Sequence, residues 1–301
     1  MKLSVPNTYY FDRQFKMPKT NTQDQTKQSL LYVCRERTLF LGELDNQLEI
    51  SKAASVLILS IGKPITLIDQ HNNNIYSERS FLIPAGMRAT IKTKGSVVAL
   101  GILDFLGEDL AKIIPEMINT IVINQNTILY SKIGNESHAI KMANHIFRIN
   151  PSAAVAFEQF KALFYTDGIN AYTALDERVA KAAAFIRTNN GKGLGIERIA
   201  REVNLSAPRL TQLFKQTTGV SIRRFTLWHR VNMTALRCAQ GVAMTEAAIE
   251  AGFADYAHFS RTFSEMGGLK PSDMLSSRKN ISFKVITDDT ANSHNNYEYH
   301  L

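Results

Sequence analysis

Two sets of side chains share one arrangement. Arg209, Thr211, Gln212 and Lys215 fall on one face of a helical repeat, and His258, Ser260, Arg261 and Ser264 fall on another, with Tyr256 at its edge. Arginine can bond guanine O6 and N7 in a major groove, glutamine can bond adenine N6 and N7, and threonine can touch a thymine methyl. Lys215, further along its helix, suits a phosphate, which fixes register without reading sequence. On a single amphipathic helix such residues are more often plain solvated surface. Their weight comes from the repetition and from the frame that would hold them.

That frame is the same in both places. In the first, Ile196, Ile199, Ala200 and Val203 form the buried side of a short helix, Asn204-Leu205 makes a turn, and Leu210, Leu213 and Phe214 anchor a second helix. Ser206 is a good N-cap for that second helix, and Pro208 is tolerated in its first turn, where the backbone N–H has no helical partner. Both belong to the candidate DNA-facing set. In the second frame, Met244, Ala247, Ala248 and Ala251 line the first helix, Gly252-Phe253 makes the turn, Asp255 caps, and Phe259, Thr262 and Phe263 face inward. Between the frames a helix starts at Ser221, carries Ile222, Phe225, Trp228, Val231, Ala235 and Cys238 on one stripe, and ends near Gly241. About 18 helical residues span roughly 27 Å, so the two exposed helices are expected near one turn of B-DNA apart, about 34 Å.

Charge points the same way. Residues 174–280 carry 16 basic against 9 acidic side chains, a net +7, whereas residues 1–173 carry +3 and residues 281–301 carry −2. A localised basic excess suits phosphate contact through counterion release. Two cysteines, Cys34 and Cys238, make neither a disulfide framework nor a CxxC metal site. With no apolar leader at the N-terminus and no apolar run near 18 residues, a cytoplasmic protein without a membrane span is expected.

The rest of the chain divides by texture. Residues 1–30 are polar and irregular. From about 31 to 104, short apolar runs (LYVC, TLFLGEL, VLILSIG, ITLID, SFLIPAG) alternate with turn-formers such as Asn72-Asn73-Asn74 and Lys94-Gly95-Ser96, predicting an all-β barrel or sandwich. From about 107 to 166 the spacing predicts helices. Leu110, Ile113, Ile114 and Ile118 form one stripe, Ala139, Met142, Ala143 and Ile146 a second, and Val155, Phe157, Phe160 and Leu163 a third. These stripes must pack on the β-domain, or one of them on a second copy of the chain. A linker around Asp167-Gly168 precedes a helix with Leu175, Val179, Ala182 and Ile186 on one side, ending at Asn189-Asn190-Gly191. The expected division is 1–168, 174–278 and a flexible tail over 281–301.

Residues 175–274 resemble the DNA-binding domain of the AraC/XylS family of bacterial transcription regulators. The residues that carry the likeness are Leu175 to Arg178, Ile199-Ala200, Leu205-Ser206, Leu213-Phe214-Lys215, Thr218-Gly219, Arg230, Ala251-Gly252-Phe253, His258 to Phe263, Gly268 and Pro271-Ser272. The resemblance implies that Arg209, Thr211, Gln212, His258, Ser260 and Arg261 face DNA. It also implies activation, because most members act by bringing RNA polymerase to a promoter. Gly267 and Leu275 depart from the family pattern, and Gly267 is expected to end the second recognition helix early. The N-terminal region, with Leu82 to Gly86 followed by Val97 to Asp104, is similar to the cupin-like barrels that precede this domain in many members. Ala89 stands where related barrels often carry histidine, and His71 has no HxH partner, so no metal is expected.

The fold expected is therefore α+β: a cupin-like β-barrel with helices, then an all-α tandem helix-turn-helix domain. The expected function is sequence-specific binding of double-stranded promoter DNA, with no cofactor and no enzymatic activity. The N-terminal domain would serve as a dimerisation platform or as the pocket of a small effector that the sequence does not identify. Two other classes stay open at this point. A metal-dependent cupin enzyme with an accessory nucleic-acid domain would need clustered His and Glu. An architectural DNA binder would need apolar wedges or longer basic runs.

Overall fold

The computed structural model describes residues 28–34, 37–44, 47–50, 54–104, 108–125, 127–162, 176–189, 194–267, 271, 281–286 and 297–299. The N-terminal part runs through strands β1 (Ser29–Val33), β2 (Arg37–Glu43), β3 (Gln47–Ile50), β4 (Ser55–Ser60), β5 (Ile65–Asp69), β6 (Ile75–Glu78), β7 (Ser80–Ile83), β8 (Ala89–Lys92) and β9 (Val97–Leu103). Then come α1 (Glu108–Ile113), a 3-10 turn (Ile114–Glu116), the hairpin β10 (Met117–Asn124) and β11 (Thr127–Ile133), and helices α2 (Glu136–Ile149) and α3 (Ala153–Ala162). The C-terminal part holds α4 (Glu177–Thr188), α5 (Ile196–Glu202), α6 (Ala207–Thr218), α7 (Ile222–Ala239), α8 (Met244–Glu250) and α9 (Tyr256–Gly267), followed by β12 (Ile281–Val285) and β13 (Tyr297–Tyr299).

The strands form two sheets rather than a closed barrel. One has the order β10-β11-β7-β4-β9-β2-β1-β12-β13 and the other β3-β8-β5-β6. The sheet does not close because β1 takes β12, not a strand of the smaller sheet, as its second neighbour. Between the sheets lies an apolar layer that includes Phe40, Ile58, Phe81 and Leu100 from the larger and Ile50, Leu67 and Ile91 from the smaller. The other face of the larger sheet, with Leu39, Leu41, Leu57 and Leu59, is covered by Ala139, Ala143, Ile146, Phe157 and Phe160 of α2 and α3. Burial on both faces is why β4 reads as a continuous apolar run without alternation.

Three sequence expectations change. Ile118 was expected on a helical stripe with Leu110 and Ile113, but it lies in β10. Pro115 cannot continue the helix from α1, and beyond it the β-branched run alternates inward and outward as a strand does. Val155 is exposed, and Ala153 and Ala156 take the inner face of α3 instead; Leu163 lies outside the described residues. The segment from 281, expected to be flexible, supplies β12, which pairs in parallel with β1. Phe283 and Val285 enter the layer between the sheets. On the opposite side Lys284 Nζ donates to the Asn150 and Pro151 carbonyls at 2.8 and 3.1 Å, and Asn150 Nδ2 donates to Ser282 Oγ at 3.3 Å.

The helices of the C-terminal part share one core, with Val179, Ala182 and Ile186 of α4, Leu210 and Phe214 of α6, Phe225 and Trp228 of α7, and Phe253 and Phe259 of the second unit. Asp176 caps α4 by accepting from Arg178 N, and the Arg178 side chain, hydrogen-bonded to its carboxylate, holds the Asp176 carboxyl down at about 2. Helix α7 belongs to both halves of the molecule. Its first half packs among the helices, whereas Leu236, Met233 and Ala235 near its end join the core between the sheets.

Candidate nucleic-acid interface

Each helix-turn-helix unit is built by the same backbone device. In the first, Leu205 N donates to Ala200 O at 2.9 Å across a turn in which Asn204 has φ 53°. In the second, Phe253 N donates to Ala248 O at 3.0 Å across a turn in which Gly252 has φ 94°. Left-handed backbone favours glycine or asparagine, and these two residues stand at the same place in each unit. The small Ala200 and Ala248 are both buried beneath the turns.

The following helices are then started by a side-chain cap. Ser206 accepts from Arg209 N at 3.4 Å, and Asp255 Oδ1 accepts from His258 N at 2.6 Å. Counting from the caps puts Arg209 level with His258, Thr211 with Ser260, Gln212 with Arg261 and Lys215 with Ser264. The inward-facing residues match as well, with buried Leu210 and Phe214 answering to buried Phe259 and half-buried Phe263. Both α6 and α9 have 12 residues, so Gly267 does not shorten the second recognition helix as its departure suggested. Leu275 lies outside the described residues.

The two outward faces differ in exposure. Ser206, Pro208, Arg209, Thr211, Gln212 and Lys215 are all exposed. Arg209 Nη1 donates to Gln212 Oε1 at 3.1 Å, so the two side-chain heads lie side by side. The Thr211 hydroxyl donates to Ala207 O at 2.8 Å, which leaves its methyl for an apolar contact. In the second unit Arg261 is exposed, whereas Tyr256, His258, Ser260 and Ser264 are half-buried. The His258 ring stands edge-on to Phe253 at 5.2 Å.

A cleft of about 420 Å³ joins the two faces, with Thr211 on one side, His258 on the other, and Leu194, Ile196, Ile199 and Leu227 among its apolar lining. Helix α7 lays Ser221, Arg223 and Arg230 into it. Arg223 is exposed, and burial pulls the Arg230 guanidinium below its ordinary value. Neither was among the candidate contact residues from sequence, because α7 reads as a connector. Their signal was the basic excess, which is placed only once α7 is folded between the units.

The sheets press on this domain from behind. A Cβ on Gly86 would lie 2.6 Å from Gly219 O, at the C-cap of α6, so the β7–β8 loop touches the end of the first recognition helix. Asp104, just past β9 and fully buried, lies 3.5 Å from Arg187 Nε and 3.7 Å from His229 Nε2. Among the described residues no group of three or more His, Cys, Asp and Glu could hold a metal ion, and Ala89 is buried in β8. No helix of the described residues is long and apolar enough to cross a membrane.

A family model described as a helix-turn-helix domain matches residues 199–277, from inside α5 to beyond α9. Among solved structures the chain is similar to ToxT of Vibrio cholerae. A ligand-free lysine-to-alanine variant from strain SCE256 aligns at TM-score 0.56 and 14% identity, over 80% of this chain and 97% of that one. ToxT from strain O395 gives 0.54 and 14% over 80% and 97%. The same protein bound to (E)-4-(8-methylnaphthalen-1-yl)but-3-enoic acid gives 0.52 and 15% over 80% and 98%. At this identity the likeness is one of fold, and it spans both the β-domain and the helices. No curated protein sequence matches the chain. Fold and interface together define a helix-turn-helix DNA-binding protein. The domain at 199–277 is of the AraC type, and the chain is a DNA-binding transcription regulator.

Proposed function

We propose that α6 and α9 enter successive major grooves on one face of promoter DNA and that both read bases. The observation that carries this is the shared register: identical turn bonds and equivalent caps set Arg209 and Gln212 on one helix level with His258 and Arg261 on the other. Helix α7, at 18 residues, has the length such a spacing needs. Arg209 and Gln212 would read guanine and adenine in the first groove, Arg261 and His258 would read the second, and Arg223 and Arg230 would clamp the phosphates between.

The regulator would act as an activator that contacts RNA polymerase. Its N-terminal domain would govern DNA binding through the contacts at Gly219 and Arg187, in response to a small effector. The arylbutenoic acid bound by ToxT supports an apolar carboxylic acid as the class to try first. The chain would also bind DNA as a homodimer, and no enzymatic activity is assigned to it.

Selection of random duplex DNA by the full chain tests the reading of bases. Helix α7 and β12 both pack into the β-domain, so the full chain is the right reagent. Two enriched blocks about one helical turn apart are expected. A single block would restrict reading to α6, and no enrichment with a steep salt dependence would leave only charge-driven binding.

A further inference from the structure

The outer edge of the larger sheet is unlike the other strand edges. Edge strands are ordinarily protected by charge, proline or an early bulge, because their open backbone groups invite another strand. In the smaller sheet the edge strands carry Glu49 on β3 and Glu78 on β6. Strand β10 forms one edge of the larger sheet, is eight residues long, and contains neither a charge nor a proline. Its register irregularity falls between Val122 and Asn124, and Asn72 Nδ2 donates to Ile123 O at 3.0 Å. Both features lie at one end, and among the described residues no strand pairs along the outer side of Met117–Val122.

The side chains there are apolar as well as exposed. Val122 is 71% exposed and Ile118 57%, and Ile128 stands opposite Val122 on β11. With Ile114 these make four of the eight exposed large hydrophobic residues among the described residues, within one short stretch of chain. The helical cover does not reach them, since α2 and α3 pack over β1, β2 and β4. The α2 stripe that could have paired with another molecule is used internally. Ala139, Ala143 and Ile146 are buried, and the outside presents Lys141, His145 and Arg148, with Ile149 exposed only at the helix's last residue.

We propose that β10 is a self-association edge, and that a second copy of this chain adds its own β10 antiparallel across a two-fold axis at Thr120. An open ladder specifies an extended strand as the occupant, and this sequence fits itself. In that register Ile118 meets the partner's Val122, Asn119 meets the partner's Ile121, and no like charges are brought together. The two-fold pairing uses both edges at once, so it closes as a dimer and does not propagate into a fibre. Such a dimer carries two tandem helix-turn-helix units and engages repeated sites. That last consequence rests on the DNA reading proposed above, whereas the pairing does not.

Sedimentation equilibrium of the full chain tests the pairing. A monomer–dimer equilibrium is expected, weakened about tenfold or more by Ile118→Lys combined with Val122→Lys, since like charges would face one another across the axis. Both positions are exposed in the single chain, so at concentrations where both proteins are monomeric the thermal midpoint should not move. Thr120→Cys should give a disulfide-linked dimer on mild oxidation, because residues paired on an axis bring their Cα atoms within about 5.5 Å. The unsubstituted chain, with Cys34 and Cys238 half-buried, should not. A chain that stays monomeric up to roughly 100 µM, far above the affinity of a functional dimer, overturns the proposal. So does a dimer indifferent to the lysine pair, or one in which Thr120→Cys fails to link. Loss of sequence preference with the dimer intact would count against base reading alone.

Discussion

Asp104 of the β-domain is paired with Arg187 in the last turn of α4 at 3.5 Å. The Asp104 side chain is fully buried and that of Arg187 nearly so, and His229 Nε2 approaches the same carboxylate oxygen at 3.7 Å. A carboxylate at this depth is tolerable only with its partners in place. Removing one member leaves the other uncompensated, at a cost of about 3–5 kcal/mol for a fully buried pair. Asp104→Ala should therefore lower stability by about 3 kcal/mol, toward the low end because Arg187 retains some access to water. Thermal unfolding of the purified variant measures it. A midpoint equal to that of the unsubstituted chain would mean that the pair contributes nothing.

Base and phosphate contacts separate cleanly in α6. Arg209→Ala should cost roughly 1–3 kcal/mol on the selected site and relax the preference at one base position. Lys215→Ala should weaken binding alike on every sequence and shallow the salt dependence by about one unit. Anisotropy titrations on the selected site and on a shuffled duplex, each at two salt concentrations, distinguish them. Equal loss on both duplexes for Arg209→Ala would reduce that residue to a phosphate contact.

The cleft residues should behave as Lys215 does. Arg223→Ala and Arg230→Ala should each remove about 0.9 from the slope of log affinity against log salt, with the sequence preference intact. Arg223 is the cleaner probe because it is exposed, whereas the half-buried Arg230 also packs on its neighbours. A changed base preference in Arg223→Ala would mean that α7 does more than hold the backbone.

Sequence reading reached furthest where function depends on local grammar. Asn204, Ser206, Gly252 and Asp255 announce turns and caps through their own chemistry, so both recognition helices were legible residue by residue. The central strands were legible because burial on both faces writes an apolar run. What stayed hidden was non-local. Lys284 disguised β12, since a lysine inside a buried strand makes sense only once the Asn150 corner offers two carbonyls to it. Ile118 was read as helical because Leu110 and Ile113 set a period that Pro115 then breaks. Asp104 carried no signal at all, because its partners lie 83 and 125 positions away.

Cys238 gives a chemical check on the packing of α7. Burial pushes its thiol up to about 11. The thiolate, not the thiol, reacts. At pH 8 its thiolate fraction is roughly a hundredfold below that of an unperturbed cysteine, so alkylation in the native state should be slower by about that factor. Unfolding in denaturant should restore the ordinary rate. Fast native labelling of Cys238, read by mass spectrometry of the modified peptide, would show that the end of α7 is not docked as described.

The strand that follows the helices should matter as much as any core strand. Phe283 is nearly fully buried and shares the layer between the sheets with Leu236 of α7. Replacing a buried phenylalanine by alanine costs about 3–5 kcal/mol through lost burial and the cavity left behind. Phe283→Ala should therefore destabilise the whole chain by about that amount, measured by urea unfolding. Because α7 leans on both β1 and β12, the damage should extend to the position of the recognition helices. Affinity for the two-block site should then fall more than affinity for either block alone, since a loosened α7 no longer fixes their spacing. Equal losses on one-block and two-block duplexes would confine the strand to a stabilising role and leave the spacing of α6 and α9 to the helical domain itself.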